Sequence, residues 1–404
     1  MKNAKLYPWI VVALLWLVAL LNYLDRQMLS TMQPSMKIDI AELQSAENFG
    51  MLMAIFLLIY GFMSPVAGYL ADRFSRKWLI VASLFVWSLV TYLMGHAETF
   101  SQLKWLRALM GVSEGIYIPA GLSLIADYHS DKSRSLAVGI HMTGLYVGQA
   151  LGGFGATIAS EYSWQNTFHY FGIVGIIYAV FLMFTLKDVQ REQPTVSENH
   201  SQQRHPGLKP LLGNVSFWIL LLYFAVPSLP GWATKNWLPT LFSQNLGIPM
   251  EEAGPISTIT IAFSSLIGVL AGGMLSDKWV QKNIKGRMYI SAIGLFLTIP
   301  AIMLIGFGHS MAAVVGAAFF FGIGYGMFDA NNMPLLTQIV PGHMKARAYG
   351  LMNMVGVFFG YFITQFLGKS TDHGNLGKDF AMLAAVVAGA LLLQLLFFKP
   401  KAKD

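Results

Sequence analysis

The chain is 404 residues long, with 55% hydrophobic and only 12% charged residues, against roughly 25% charged in an average soluble domain. These figures exclude a soluble globular protein, and the complete absence of cysteine excludes disulfide staples, thiolate metal sites and cysteine nucleophiles. A formal charge of +7, from 27 Lys and Arg against 20 Asp and Glu, has to be read by where it sits along the chain.

A helix crossing the hydrocarbon core needs about 20 mostly apolar residues, and the sequence predicts twelve such spans. Six lie near 8–30, 48–70, 78–95, 101–126, 135–159 and 164–186. The other six lie near 214–242, 254–276, 288–308, 311–340, 346–368 and 379–398. Lys2 and Lys5 precede the first apolar run, which is longer than a signal-peptide core and lacks a small-residue cleavage site, so it reads as a retained helix. The expected organisation is a six-helix bundle over 1–186, a cytoplasmic linker over 187–213 and a second six-helix bundle over 214–404. The linker assignment rests on polar, proline-containing composition.

Segments on the N-terminal side of the membrane carry 20 Lys and Arg, among them Lys77, Arg134, Lys278 and Arg287. The opposite loops carry four, Lys37, Lys104, Lys369 and Lys378. This bias in short loops predicts cytoplasmic termini for a multi-pass protein of the cell membrane. It also accounts for most of the basic excess without a nucleic-acid partner.

An internal repeat follows. Gly68-Tyr-Leu-Ala-Asp72-Arg73 closes the second span, and Gly273-Met-Leu-Ser-Asp277-Lys278 closes the eighth. Two six-helix halves carrying one element have the layout of transporters that rock about a midplane site. The run from Gly68 through Arg73 and Arg76 to Lys77 resembles the signature loop of the major facilitator superfamily, with Ser75 in place of the usual glycine. Gly144, Gly148, Gly152 and Gly153 in the fifth span are similar to that family's glycine-rich helix, and small residues at this spacing pack helices closely. The resemblance implies an all-α fold of twelve transmembrane helices in two pseudo-symmetric bundles. Gly68, Asp72, Arg73, Arg76 and Asp277 are then expected to be gating and structural.

A narrower resemblance is to the anion:cation symporter family, which includes hexonate and hexuronate transporters, sialin and the vesicular glutamate transporters. It is carried by Asn22-Tyr23-Leu-Asp25-Arg26, by Arg107 with Glu114, and by Lys235-Asn-Trp237-Leu-Pro239. The first element also occurs in spinster-like lipid transporters.

Six residues of definite charge lie well inside the spans: Asp25, Arg26, Arg107, Glu114, Lys235 and Asp329. Each costs about 2.5–3.5 kcal/mol at a helix centre, so six unpaired charges cost on the order of 15–20 kcal/mol. They are expected to face a wet cavity or one another, and three positive and three negative groups can sum to zero. Arg107 and Glu114 share a helix face about 10 Å apart along the axis, with Gly111 between them leaving room for a ligand or a facing side chain. Asp25 and Arg26 project about 100° apart. Arg26 is therefore expected to face the cavity, and Asp25 to pack toward the fourth span near Arg107.

The resemblance implies that Asp25 and Glu114 are proton sites, that Arg107 supports their coupling, and that Arg26 and Lys235 meet the substrate carboxylate. A carboxyl that alternates between an arginine partner and water titrates differently in each state, as a proton-coupled carrier requires. Tyr60 falls where hexonate-type members contact substrate, and Tyr23, Tyr117, Asn332 and Asn353 are further cavity candidates. The sequence departs from the family at Leu145, where many members have Gln, and before Pro341, where the usual acidic residue is missing. Asp329 has no family counterpart; it is expected either to pair with Lys235 or to bind a cationic or hydroxyl group of the substrate. His141 and His169 read as packing residues.

There is no HExxH, no nucleotide-binding Gly-Lys-Ser loop and no His-Asp pair at short helical spacing, so an enzyme is not expected. No cofactor is expected either, the proton gradient being the driving force. The expected function is proton-coupled symport, by alternating access, of a small organic anion such as a hexonate or hexuronate. The expected partners are that anion, protons and membrane lipids, with the protein a monomer. The alternatives are a spinster-like, proton-coupled carrier of lysolipid or sphingolipid, and a non-transporting nutrient receptor on the same fold.

Overall fold

The structure, a computed structural model, describes residues 2–188, 213, 215–340 and 344–397. Among these residues there are fourteen α-helices, one short 3₁₀ turn and no strand. The first half comprises α1 (Lys2–Leu29), the short α2 (Gln33–Asp39), α3 (Ala46–Arg73), α4 (Arg76–Met94), α5 (Phe100–Tyr128), α6 (Asp131–Gly152), α7 (Gly155–Tyr162) and α8 (Trp164–Thr185). The second comprises α9 (Val215–Leu246), α10 (Met250–Val280), α11 (Gly286–Phe307), α12 (Met311–Ile339), α13 (Lys345–Asp372) and α14 (Leu376–Phe397). Most of the expected linker, residues 189–212, lies outside the described residues, as do residue 214 and Pro341.

Among the described residues, eleven helices are long and apolar enough to cross a membrane, and they coincide with eleven of the twelve predicted spans. The remaining span, predicted over 135–159, is divided into α6 and α7. Four glycines, His141 and Gln149 lower the apolar character of α6, and the helix ends at Gly152. The break is held from both sides. Thr258 in α10 donates to the carbonyl of Ala150 at 3.0 Å, and Thr31 accepts the amide of Ala156 at 3.0 Å. Backbone groups freed inside a membrane must be satisfied in this way.

Polar caps mark where helices begin. Thr99 and Gln102 form a reciprocal capping box on α5, and Ser310 caps α12, each satisfying amides that the first turn leaves free. Within the halves, glycine allows close helix contact. A methyl on Gly144 would meet the Trp16 carbonyl at 2.6 Å, and one on Gly152 would meet the Leu24 carbonyl at 2.8 Å, so the glycine face of α6 seats α1.

Helices α3 and α13 run antiparallel and join the two halves, as do α6 and α10. We term the end where α1 begins the basal face. At the opposite face the pairs are locked. Asp372 at the end of α13 accepts the amides of Ala46 at 2.7 Å and Glu47 at 2.9 Å, and the Ser45 hydroxyl at 2.7 Å. A methyl on Gly50 would meet the Gly368 backbone at 3.3 Å, and Thr157 donates to the Glu251 carbonyl at 2.9 Å. The pairing continues down α3 and α13 to Asn353, which donates to Ser64 at 3.3 Å. One turn further toward the basal face, Gly68 and Gly350 have open space beside them, and so do Gly139 on α6 and Gly273 on α10. The halves therefore meet at the opposite face and part at the basal face.

Candidate functional site

The wedge between the halves ends on the charged residues of α1 and α5. Arg26 donates through Nε to Glu114 Oε2 at 2.5 Å. Glu114 is fully buried, whereas the Arg26 side chain keeps 11% of its surface exposed. The guanidinium lies against three rings, 5.0 Å from the centroid of Tyr23, 4.8 Å from Phe56 and 4.6 Å from Tyr60. Such cation–π contacts contribute roughly 0.5–2 kcal/mol each when desolvated. Asn22 sits beside Glu114 without a hydrogen bond of normal geometry, and Glu114 Oε1 has none either.

Arg107 does not take Glu114. Its Nε donates to the Leu52 carbonyl at 3.4 Å and its terminal nitrogen to the Met110 sulfur at 3.1 Å. Its guanidinium lies 4.7 Å from the Phe56 centroid, on a ring that also meets Arg26. Asp25 is buried and accepts a 3.1 Å hydrogen bond from Thr91 of α4. It is within electrostatic reach of Arg107, but among the described residues no cation comes within ion-pair distance of it. Arg26 keeps its partial exposure on the cavity side, whereas Asp25, expected to pack toward the fourth span near Arg107, takes its hydrogen bond from Thr91 of the third span.

Of the two uses expected for Gly111, a ligand or a facing group, the structure shows the second. A methyl there would meet the Phe56 carbonyl at 2.7 Å and the Tyr60 amide at 3.2 Å, so α3 itself fills the space foreseen for a ligand. That close approach brings Phe56 and Tyr60 to Arg26. Tyr117 departs from expectation. It is fully buried and donates to the Leu15 carbonyl at 2.7 Å, with Trp87 and His141 edge-on to its ring, so it ties α5 to α1 and does not line the cavity.

The second half contributes Lys235, Asp329, Asn332 and Asn353. Lys235 lies over the Trp232 ring at 4.7 Å and reaches the Tyr23 ring at 5.9 Å. Its own carbonyl accepts Gln27 Nε2 at 2.8 Å, a bond between the halves. Beyond it, toward the opposite face, Gln149, Thr234, Pro239 and Ser257 close the site and leave no room for a water molecule. Asp329 feels the charge of Lys235, yet the two form no ion pair. Asn332 is buried and donates to Asp329 Oδ1 at 3.1 Å, so it positions that carboxylate. Asn353 bonds Ser64 where the halves begin to part.

The repeated loops are anchored within their own halves. Arg76 forms an ion pair with Asp127 and donates to the Ser123 carbonyl at 2.8 Å. Arg73 is exposed and contacts the Tyr69 hydroxyl, and Asp277 pairs with Arg287 at 3.0 Å. The Asp72 side chain lies outside the described residues. His141 is fully buried with its ring edge-on to Tyr117, and His169 lies at a tilt against His96 and Tyr92.

Several site residues carried no signal in the sequence. Phe56, whose ring meets both guanidinium groups, is one phenylalanine in an apolar span. Thr91 is one hydroxyl in an apolar span. Tyr146, Tyr325 and Tyr349 approach Asp329 from α6, α12 and α13, and aromatic residues of this kind also serve as lipid-facing material.

Comparison with known proteins follows the same outline. Residues 15–365 match the Major Facilitator Superfamily. The chain is 24% identical over 404 residues to the hexuronate transporter of Bacillus subtilis (strain 168), covering 96% of this chain and 94% of that one. It is 28% identical over 306 residues to Protein spinster of Drosophila melanogaster, covering 72% of this chain and 49% of that one. The chain thus spans about half the length of the spinster protein it matches. Among solved structures, a bacterial homolog of the human lysosomal transporter spinster, in an inward-facing and unoccupied conformation, superposes with a TM-score of 0.80 at 20% identity over 96% of both chains. That last likeness is one of fold.

Proposed function

The chain belongs to the major facilitator superfamily, and from that premise we propose that it takes up a small organic anion, a sugar acid such as a hexonate or hexuronate, together with protons. It is a multi-pass membrane transporter and not an enzyme. The observation that carries the proposal is the Arg26–Glu114 ion pair on the floor of the cavity.

Arg26 is both the partner of a buried carboxylate and a cation open to the cavity. A substrate carboxylate and Glu114 compete for the same planar guanidinium, which suits two-point carboxylate recognition. A proton on Glu114 removes the competitor and frees Arg26. Proton and anion binding then favour each other, which is the linkage that symport needs. Asp25 carries the second proton site, because an unpaired charge in the membrane core is costly and a proton removes that cost. Lys235 adds a flexible positive charge from the second half, so a bound anion links the two halves.

In this cycle the protein starts open at the opposite face, with Asp25 and Glu114 protonated and the anion on Arg26 and Lys235. The halves rock, the basal face opens, and substrate and protons leave to the cytoplasm. The conformation described above, basal face open and Arg26 returned to Glu114, corresponds to the state after release. The basic residues of the basal loops support a cytoplasmic assignment for that face.

A second reading is a spinster-like lipid carrier, favoured by the match to Protein spinster. A thermal-shift screen of the purified protein against hexonates, hexuronates, dicarboxylates, acidic amino acids and lysophospholipids at two pH values separates the two. Stabilisation by hexonate or hexuronate supports the proposal, and stabilisation by lysophospholipid alone replaces it. A protein that binds a sugar acid but moves no solute under any gradient is a receptor.

A further inference from the structure

The cavity has two poles. The positive pole lies deep: Arg26 and Lys235 flank Tyr23, at 5.0 Å and 5.9 Å from its centroid. The negative pole is Asp329, a solvent-exposed carboxylate in the body of α12. It faces the space between the halves, since the groups it interacts with electrostatically come from α1, α6, α9, α12 and α13.

Helix geometry explains why Asp329 and Lys235 stay apart. Tyr325 of α12 meets Gly231 of α9, where a methyl would collide with the phenol. Lys235 is one turn beyond Gly231 toward the opposite face. Asp329 is one turn beyond Tyr325 toward the basal face, because the two helices run antiparallel. Their Cα atoms are therefore offset by about 12 Å along the axis. The side chains lean toward each other, but the charged groups do not come within 4.0 Å. Asn332 holds Oδ1 of Asp329, and among the described residues Oδ2 accepts no hydrogen bond. A fixed, half-satisfied carboxylate with tyrosines around it is a setting that attracts ammonium groups.

We propose that the transported molecule is a zwitterion: its acid group binds at Arg26 and Lys235, and an ammonium group on the same molecule binds Asp329 nearer the basal opening. This deepens the proposed function and rests on the cavity being the substrate site. For a sugar acid, the class is an amino sugar acid. Asp329 then selects for ammonium-bearing substrates, while uptake still depends on the acid group.

The test compares matched probes on the purified full chain by calorimetry. One set is D-gluconate with its 2-amino-2-deoxy and 6-amino-6-deoxy derivatives. The other is lysophosphatidylglycerol against lysophosphatidylethanolamine. The expected result is binding of an ammonium-bearing member at least about tenfold tighter than its anionic counterpart, an advantage that Asp329→Asn abolishes and Asp329→Glu retains. Affinity for the purely anionic member should stay within about threefold in Asp329→Asn. Equal affinity within both sets, equal weakening of both members by Asp329→Asn, or no binding of either set overturns the inference. If the preference exists only in the lysolipid set, the sugar-acid reading falls while the zwitterion inference stands.

Discussion

Arg26 bonds Glu114 across two helices at 2.5 Å, while Arg107, seven residues before Glu114 on its own helix, stays with the Leu52 carbonyl and Phe56. The buried carboxylate is therefore tied to the one arginine of the pair that also faces the cavity. This arrangement makes the charge on Glu114 a property of both the proton supply and the substrate.

Removing one member of a buried pair strands the other. Arg26→Ala is expected to destabilise the protein by about 3–5 kcal/mol, and Glu114→Gln added to it should restore most of that loss. Thermal unfolding of the single and double variants in detergent checks this. Equal midpoints for the two would contradict the pairing.

Asp25→Asn and Glu114→Gln should each abolish accumulation driven by a proton gradient. Substrate counterflow, which needs binding and rocking but no net proton movement, should remain within a few-fold of the parent. Accumulation by either variant at the parent level would remove that residue from the coupling site.

The fold was largely legible in the sequence, because twelve apolar runs and a repeated loop specify twelve spans in two halves. The fifth span was the exception. Its break after Gly152 depends on Thr258 and Thr31 from other helices, which no local pattern encodes. Charges inside the spans announced the site, since each is too costly to sit in lipid by chance. The pairing among them was not legible. Seven-residue spacing put Arg107 and Glu114 on one helix face about 10 Å apart, but nothing local showed that Arg26 would reach Glu114 or that Gly111 would let α3 approach with Phe56 and Tyr60. Tyr117 shows the converse: a tyrosine among charged residues reads as a ligand group until its hydroxyl is found on the Leu15 carbonyl.

Lys235 should matter to acids and little to neutral molecules. Lys235→Ala is expected to weaken binding of an organic acid by about tenfold or more, in line with the loss of about 1.5–3 kcal/mol for a hydrogen bond to a charged group. A neutral analogue should lose less than about threefold. Titration calorimetry with an acid and its amide distinguishes the two, and equal losses would place Lys235 outside the carboxylate site.

Asp372 locks the opposite face through three hydrogen bonds at the start of α3. Asp372→Ala should shift the resting population toward the state closed at the basal face by about tenfold, which corresponds to about 1.4 kcal/mol. Because the chain has no cysteine, Gly68→Cys with Gly350→Cys gives a clean pair for spin-label distances. A shorter-distance population should grow in the Asp372→Ala background, and an unchanged distribution would show that the latch does not set the resting state.

The central claim is that an organic anion and protons travel together through the Arg26–Glu114 site. It is tested most directly by radiolabelled hexuronate and hexonate uptake into proteoliposomes, with the outside made acidic relative to the lumen. The account predicts accumulation above the external concentration that collapses with a protonophore and is absent in Glu114→Gln. Accumulation indifferent to the pH gradient, or no movement of either acid under any gradient, would contradict it.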